Sequence, residues 1–320
     1  VYTNDNVMRM DELPARMVVI GGGVIAAEFS HVFSAFGTEV TQLNRSSRLL
    51  RNVDEEVVAR FEEAASKQWN IVKDASLSEI RENADGSVTV VAKRTTENGE
   101  ELLEIPADAV LVATGRRPNT DTLNAKNYFD VQDGGQLSVD KHQRVLYNGA
   151  PVPGVYALGD VSSRYQLKHV ANHEARVVQH NLSHPEDLRA SDHRYVPAAV
   201  FSNPQIAVVG MTEEQARQAA EREGFEITVK AQNFGDTAYG WAMEDKIGLC
   251  KLIARKDNGV LLGAHLVGEE SSVLIQPLLQ AMSFGMDARP LARGQYWIHP
   301  ALTEIVENAL LGLEFDEPAN

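Results

Sequence analysis

The order of apolar and polar positions over the first 45 residues predicts a strand, a glycine turn, a helix and a second strand. Residues 16–20, "RMVVI", form a short β-branched apolar run. A glycine-rich stretch breaks this run, and apolar residues then recur at helical spacing as far as Gly37. Residues 39–43, "EVTQL", resume an extended pattern. This is the opening of a βαβ unit, which predicts a parallel sheet.

The glycines between the first strand and the helix have the spacing of a turn that binds a dinucleotide. Gly21 permits the tight turn, Gly23 lets the backbone approach a pyrophosphate, and Ala26 lets the helix pack on the strand. The start of the helix would offer N–H groups and the positive end of its dipole to the phosphates. A plain strand-to-helix turn is the alternative, but the strand, motif, helix and strand together favour dinucleotide binding. The predicted contact residues are Gly21, Gly22, Gly23, Val24, Ile25, Ala26, Ala27 and Glu28.

The residues after the second strand indicate which dinucleotide is bound. Asn44 stands where an acidic side chain would accept hydrogen bonds from the ribose of NAD. Arg45, Arg48 and Arg51 follow it, and their forked donors can bind a 2′-phosphate that a carboxylate would repel. The sequence therefore predicts NADPH, with a solvated charged loop as the simpler alternative.

Later apolar segments predict further strands of two kinds. Residues 109–115, "AVLVATG", read as a strand whose carboxyl end emerges beside the cofactor crevice of a parallel sheet, and 154–161, "GVYALGDV", read as a second such strand. A strand is also predicted at 87–94. Three alternating segments fit an antiparallel sheet followed by one apolar helix, at residues 227–234, 248–256, 260–268 and 273–285.

Composition narrows the classes of partner. The formal net charge of −15 would repel nucleic acid and anionic lipid alike. No apolar run approaches the roughly 18 residues that span a bilayer, and the first residues lack the pattern of a secretory signal. We therefore expect a cytoplasmic protein without a nucleic-acid or membrane partner. Cys250 is the only cysteine, and the histidines show no metal-ligand spacing, so we expect no disulfide and no metal.

A histidine near the C-terminus is a candidate acid/base. In "GQYWIHPALTEIVENALLGL", residues 294–313, His299 directly precedes a proline-started amphipathic helix, and Glu304 follows five residues later. A near-neutral pKa makes a histidine eligible for proton transfer, and a carboxylate can orient its ring. A histidine that lies beside a helix start by chance is the commoner case.

Five motifs in this order and spacing resemble the flavoprotein disulfide reductases, the family that includes glutathione reductase and dihydrolipoamide dehydrogenase. The motifs are "GGGVIAAE", "ATGRRPN", "GVYALGD", "VPAAVFSNPQIAVVGMTEEQA" and "HPALTEIVENAL". The resemblance covers nearly the whole chain. Within the family, residues 167–182 and the ending "HPALTEIVENALLGLEF" are most similar to members that reduce the disulfide of mycothiol.

The resemblance implies an α/β fold with a Rossmann-type dinucleotide-binding domain and a C-terminal α+β dimerisation domain. It also implies a homodimer that uses NADPH and FAD to reduce a low-molecular-weight disulfide. The implied domains are an NADPH-binding domain, the returning part of an FAD-binding domain, and an interface domain, at residues 1–117, 118–193 and 194–320.

The resemblance also assigns roles to individual residues. Arg45 and Arg51 would bind the 2′-phosphate, Gly115 would lie beside the nicotinamide, and Asp160 would bind the ribityl chain of FAD. His299, oriented by Glu304, would protonate the leaving thiol and would reach across the dimer interface into the partner's site. Backbone N–H groups at the start of one helix would face the pyrimidine edge of the flavin, from Gln166, Leu167, Lys168 and His169.

Two features of the family are missing from these 320 residues. Family members begin with a flavin-binding half that carries its own glycine motif, followed by a pair of redox cysteines. We therefore expect an incomplete FAD site and no disulfide reduction by this chain alone. The alternatives are an NADPH-binding, dimer-forming polypeptide without flavin chemistry, and a family member that acts on another disulfide, such as dihydrolipoamide dehydrogenase.

Overall fold

In the computed structural model, which describes residues 1–316, the chain divides into two compact units. One combines residues 1–114 with residues from 197 onward, and the other comprises residues 115–196. The division into three domains after residues 117 and 193 stays a prediction.

A four-stranded parallel sheet opens the first unit, with strand order β3-β2-β1-β7. Its strands are β1 (Arg16–Ile20), β2 (Glu39–Leu43), β3 (Asn70–Val72) and β7 (Ala109–Val112). Helix α1 (Val24–Ala35) connects β1 to β2, and α2 (Glu55–Ala65) lies between β2 and β3 along the chain. The predicted Rossmann-type βαβ arrangement is confirmed, including the strand at residues 109–112.

A three-stranded antiparallel sheet is inserted before β7. Its strands are β4 (Ala75–Glu82), β5 (Val88–Thr96) and β6 (Gly99–Ala107). Val90 and Ala92 of β5 pack against Val18 and Leu43 of the parallel sheet and are fully buried with them. The predicted strand at 87–94 therefore belongs to this insertion, which covers one face of the parallel sheet.

Residues 197–316 form a five-stranded antiparallel sheet with helices, which confirms the predicted α+β fold. The strands are β10 (Ala198–Val200), β11 (Gln205–Gly210), β12 (Ile227–Asn233), β13 (Leu249–Arg255) and β14 (Leu261–Gly268). The helices are α4 (Glu213–Glu223), α5 (Ala238–Ala242), α6 (Ser271–Leu274), α7 (Gln276–Ser283), α8 (Ala288–Leu291) and α9 (Glu304–Leu311). The prediction of a single helix at 273–285 is wrong, because the helix is interrupted between α6 and α7. Pro277 lies at the start of α7 and has no N–H to donate to the preceding turn.

The unit of residues 115–196 holds a β-hairpin and a long helix. The hairpin pairs β8 (Arg144–Tyr147) with β9 (Ala150–Tyr156), and the helix is α3 (Lys168–Ser183). The parallel strand expected at 154–161 is wrong, because β9 ends at Tyr156 and runs antiparallel to β8. Asn148 and Gly149 both have positive φ, 52° and 75°, and this closes a two-residue hairpin.

Within the first unit, α2 packs against the antiparallel sheet. Val57 and Phe61 of α2 share one buried apolar cluster with Ile206, Leu249 and Val267. The helix that follows the arginine-containing segment is therefore anchored to the C-terminal sheet. In residues 1–316, no helix has both the length and the apolar character needed to cross a membrane.

Candidate coenzyme and acid–base sites

The turn between β1 and α1 requires glycine at its first position. Gly21 has φ +143°, and a Cβ there would overlap the carbonyl oxygen of Ala113 at the end of β7. Gly23 is the N-cap of α1 and has open space on the side where a Cβ would stand. Since Gly23 and Val24 are exposed and no side chain caps the helix, the first N–H groups of α1 are open to an anion.

Buried polar groups hold this turn in place. Gln42 donates its Nε2 to the carbonyl oxygen of Gly21 at 3.0 Å and accepts from Trp69 Nε1 at 2.9 Å. Ala26 and Ala27 are fully buried where α1 packs on the sheet. Val24 is exposed and Ile25 half-buried, and Glu28 accepts from the backbone N–H of Phe201 at 2.9 Å. The eight predicted residues thus form one turn and helix start, of which the first part faces outward.

The side chain of Asn44 holds the loop that follows β2 by hydrogen bonds. Its Nδ2 donates to the carbonyl oxygens of Ser46 and Arg48, at 2.8 and 3.0 Å. Its carboxamide also occupies the space where a Cβ of Gly22 would be. A carboxylate could not donate to these carbonyls, so the amide builds the segment of residues 45–53, called here the arginine loop.

The three arginines of this loop differ in their surroundings. Arg45 and Arg51 are exposed, and within residues 1–316 their side chains make no hydrogen bond or ion pair. Arg48 is half-buried and donates to the carbonyl oxygen of Arg51 at 2.9 Å, with Glu55 at 4.0 Å. Two guanidinium groups are therefore available to an anion, whereas Arg48 supports the loop.

In the unit of residues 115–196, Asp160 has a partner that the sequence analysis missed. Its Oδ2 lies 2.9 Å from Nη1 of Arg116, and both side chains are partly exposed. The neighbouring Gly159 donates its N–H to the buried Glu174 at 2.6 Å, and Oε1 of Glu174 lies 3.0 Å from Nε2 of His193. The turn that carries Asp160 is thus held by the buried carboxylate of Glu174. Gly115 begins the same unit, with φ +145° and open space at its Cα.

The start of α3 carries the other residues expected near a flavin. Lys168 is its first residue, and Leu167 is an N-cap in an extended conformation without a capping side chain. Gln166, Lys168 and His169 are exposed. The start of this helix therefore has no side-chain cap at Leu167.

His299 and Glu304 are in direct contact. Nδ1 of His299 lies 2.8 Å from Oε1 of Glu304, and the side chains are 68% and 18% exposed. The other oxygen of Glu304 accepts from the N–H of Ala301 at 3.3 Å. Because a carboxylate only accepts, Nδ1 carries a hydrogen and Nε2 is left to exchange a proton with a ligand.

The helix after His299 begins later than expected. The sequence predicts a helix from Pro300, but residues 300–303 form turns and α9 starts at Glu304. Glu304 binds backward to Ala301 and His299 from the first helical position, where a carboxylate also faces the positive end of the helix dipole. The histidine is thus held by a residue of the helix start and not by the proline.

Cys250 lies on β13 and is completely buried. Burial raises the pKa of its thiol to about 12, because a thiolate would lose its hydration there. Among the residues that the structure describes, no cluster of three or more histidine, cysteine or acidic side chains could hold a metal ion.

Large apolar side chains are exposed in the C-terminal part of the chain. Tyr296 and Ile298 precede His299 in the chain, and further exposed residues are Phe201, Trp241, Val273 and Phe284. Tyr296 and Ile298 lie two positions apart and form an exposed apolar segment next to His299.

Two family profiles match almost the entire chain. The family described as pyridine nucleotide-disulphide oxidoreductase matches residues 1–175, and its dimerisation domain matches residues 196–310. The chain is 52% identical over 317 residues to mycothione reductase of Mycobacterium tuberculosis, covering 98% of this chain and 65% of that protein. It is 32% identical over 310 residues to dihydrolipoyl dehydrogenase of Synechocystis, covering 97% of this chain and 65% of that protein. The chain thus spans 65% of the length of these two relatives.

A solved structure has the same fold. The flavoprotein disulfide reductase RclA of Escherichia coli, described as HOCl-induced, aligns with a TM-score of 0.84 and 28% identity, covering 97% of this chain and 68% of that one. The family profiles and the 52% identity agree with the five motifs in the sequence. The chain belongs to the pyridine nucleotide-disulphide oxidoreductase family.

Proposed function

We propose that this chain supplies the NADPH-binding, part of the flavin-binding and the dimerisation regions of an enzyme that reduces a low-molecular-weight disulfide, mycothione. The observation that carries the proposal is the exposed pair Arg45 and Arg51 in the loop after β2, on a chain 52% identical to mycothione reductase. The overall reaction is NADPH + H⁺ + RSSR → NADP⁺ + 2 RSH. When bound, NADPH donates a hydride and FAD passes the electrons on to the disulfide.

The first unit fits the coenzyme. The open start of α1 binds the pyrophosphate, and Gly23 leaves room for it to approach the backbone. Arg45 and Arg51 bind the 2′-phosphate, because both are exposed and, among residues 1–316, neither pairs with a carboxylate. Asn44 keeps a negative charge away from that phosphate.

The residues of the second unit fit part of a flavin site. Asp160 accepts hydrogen bonds from the ribityl hydroxyls, and Arg116 fixes its carboxylate. The start of α3, from Gln166 to His169, favours negative charge at the pyrimidine edge through the helix dipole. Lys168 adds a positive charge at that helix start.

His299 is the proposed acid/base for the thiol that leaves when the disulfide is cleaved. Its Nε2 donates a proton to the departing thiolate, and Glu304 stabilises the imidazolium that precedes this step. The exposure of His299 supports a role toward a second subunit, since the side chain is 68% exposed and follows the exposed Tyr296 and Ile298. A homodimer would cover Tyr296 and Ile298 and bring His299 to the partner's thiols.

The test uses the full natural reading frame that encodes these residues. We expect its product to be yellow, to elute as a dimer, and to oxidise NADPH in the presence of mycothione much faster than with oxidised glutathione or lipoamide. Faster turnover with lipoamide and NADH would favour a dihydrolipoyl dehydrogenase instead. No turnover with any disulfide would contradict the proposal.

A second candidate concerns the 320-residue polypeptide by itself. It binds NADPH and dimerises but does not carry out flavin chemistry, because these 320 residues hold only part of the family's FAD site. The purified polypeptide is then colourless. Stoichiometric FAD with yellow absorbance would contradict this candidate.

A further inference from the structure

Lys251 is a buried cation that the coenzyme and acid–base assignments do not use. It lies on β13 in the C-terminal sheet and is only 4% exposed. Its Nζ lies 3.0 Å from Asp54, 3.1 Å from Glu56 and 2.7 Å from Glu213. One ammonium group therefore holds three carboxylates, two of which come from the start of α2.

This cluster is charged in the folded protein. Burial opposes the charge of Lys251, but its hydrogen bonds to Glu213 and Asp54 outweigh burial and raise its pKa. Burial likewise opposes the charge of Asp54, yet the backbone N–H of Glu213 and the Lys251 ammonium lower the pKa of Asp54. The cross-strand neighbour His265 is buried, and burial lowers its pKa, so it adds no charge at neutral pH. Removal of the ammonium would leave Asp54 buried without a counter-ion.

Asp54 connects this cluster to the arginine loop. It is the N-cap of α2, where Oδ1 accepts from Glu56 N–H at 3.2 Å and Oδ2 accepts from Glu213 N–H at 3.0 Å. It follows Arg51 by three residues. The start of α2 is therefore fixed to β13 and α4 at the point where the arginine loop ends.

Helix α2 has a second contact with the arginine loop, through Glu62. Oε1 of Glu62 accepts from the N–H of Leu49 at 2.8 Å, and Oε2 pairs with Lys73 at 2.8 Å. A shift of α2 would thus be transmitted to Leu49 as well as to Arg51. Both guanidinium groups proposed for the 2′-phosphate lie within this tethered segment.

We propose that Lys251 is a positioning residue for coenzyme selectivity, which holds the start of α2 and thereby the arginine loop in the geometry that binds the 2′-phosphate. This inference rests on the proposed NADPH site. A residue of the dimerisation region then contributes to the choice between NADPH and NADH without touching either.

The first experiment is a titration of the 320-residue chain with NADPH and NADH. We define the selectivity ratio as the dissociation constant of NADH divided by that of NADPH. Lys251→Met is expected to lower this ratio about fivefold, which corresponds to about 1 kcal/mol. The control is Lys67→Met, which breaks the exposed pair with Glu63 on the same helix and should leave the ratio unchanged. In an Arg45→Ala/Arg51→Ala background, Lys251→Met should cause no further change.

Asp54→Asn separates positioning from simple stabilisation. Asparagine keeps the capping acceptor but removes one charge, so the single variant should fold and lower the ratio about twofold. The double variant Asp54→Asn/Lys251→Met should have a higher ratio than Lys251→Met alone, because the unpaired buried carboxylate is gone. A stabilising role alone would lower the melting temperature of Lys251→Met and leave the ratio as in the unsubstituted chain, which would overturn the inference.

The second experiment does not depend on coenzyme preference. Hydrogen exchange of the Leu49 and Leu50 amides should accelerate about tenfold in Lys251→Met and not in Lys67→Met. If the unsubstituted chain binds both coenzymes equally, the NADPH proposal fails, and exchange alone decides the role of Lys251. Unchanged protection of both amides would then overturn the role of Lys251.

Discussion

Leu50 donates its backbone N–H to the carbonyl oxygen of Gly22 at 2.7 Å, and this bond joins the arginine loop to the glycine turn. Leu50 is buried at φ 45°, so the loop is fixed where it meets the turn. On the other side of Gly22, the carboxamide of Asn44 fills the space of a Cβ. The pyrophosphate and 2′-phosphate regions of the proposed site are therefore one structural unit.

Asn44→Asp should damage this unit from within. The new carboxylate cannot donate to the carbonyl oxygens of Ser46 and Arg48, and its charge would face the 2′-phosphate. We expect NADPH affinity to fall at least about tenfold, about 1.4 kcal/mol, with a lower melting temperature. Asn52→Asp makes the same charge change at an exposed position of the loop and is the control. Equal losses in both variants would show that only charge matters.

Two glycines of the turn should respond in opposite ways to alanine. Gly21→Ala forces a Cβ against Ala113 at φ +143° and should cost about 2 kcal/mol of stability or more. Gly23→Ala has open space at φ −93°, so its melting temperature should stay nearly unchanged while its NADPH affinity falls, because the methyl faces the pyrophosphate. Calorimetry and coenzyme titration separate the two effects. Unchanged NADPH affinity in Gly23→Ala would show that the pyrophosphate does not bind beside Gly23.

The Lys251 cluster predicts how stability depends on pH. The pKa values of Asp54 and Glu213 are lowered, chiefly by hydrogen bonds that outweigh burial, so their stabilisation is present above about pH 5. It is lost as the pH falls through their lowered folded pKa values. The raised pKa of Lys251 adds stability that is lost only in alkali, above about pH 10.

Lys251→Met should reverse the way the stability of the protein depends on pH below neutrality. Without the ammonium, burial opposes the charge of Asp54 with no cation beside it, and protonation then relieves an unpaired buried charge. Mild acidification from pH 7 to pH 5 should therefore raise the melting temperature of Lys251→Met relative to the unsubstituted chain. Parallel melting curves for the two proteins across this range would argue against a charged cluster.

His299→Ala should slow disulfide reduction by the full-length protein by about 10² to 10⁴, whereas flavin reduction by NADPH should hardly change. Glu304→Gln should give a smaller loss, since the imidazole remains and only its 2.8 Å partner loses charge. Stopped-flow absorbance resolves the two half-reactions.

Mixed dimers test whether His299 acts across subunits. Subunits with His299→Ala, combined with subunits that lack the redox cysteines, should give heterodimers with one working site. If heterodimers form and remain inactive, His299 acts within its own chain or has no catalytic part.

The sequence predicts features that depend on neighbouring residues better than features that depend on distant contacts. The strand at 16–20 and the turn after it follow from local pattern, and the structure has β1 at those residues. The ion pair of Lys251 with Asp54 joins positions 197 apart, and a charged residue in an apolar strand gives no sign of its partner. Arg116 likewise reads as part of a turn, because its bond to Asp160 depends on how residues 115–196 fold. The Asn148–Gly149 pair did carry a hairpin signal that would have corrected the strand predicted at 154–161.

The most direct test of the proposed NADPH site is a calorimetric titration of the 320-residue chain with NADPH and with NADH. We predict that NADPH binds at least about tenfold more tightly, about 1.4 kcal/mol, and that Arg45→Ala/Arg51→Ala removes the preference while NADH affinity stays nearly the same. The control is Lys93→Ala/Arg94→Ala, which makes the same charge change at exposed positions of β5. Equal affinities for the two coenzymes in the unsubstituted chain, or an equal loss in both double variants, would contradict the account.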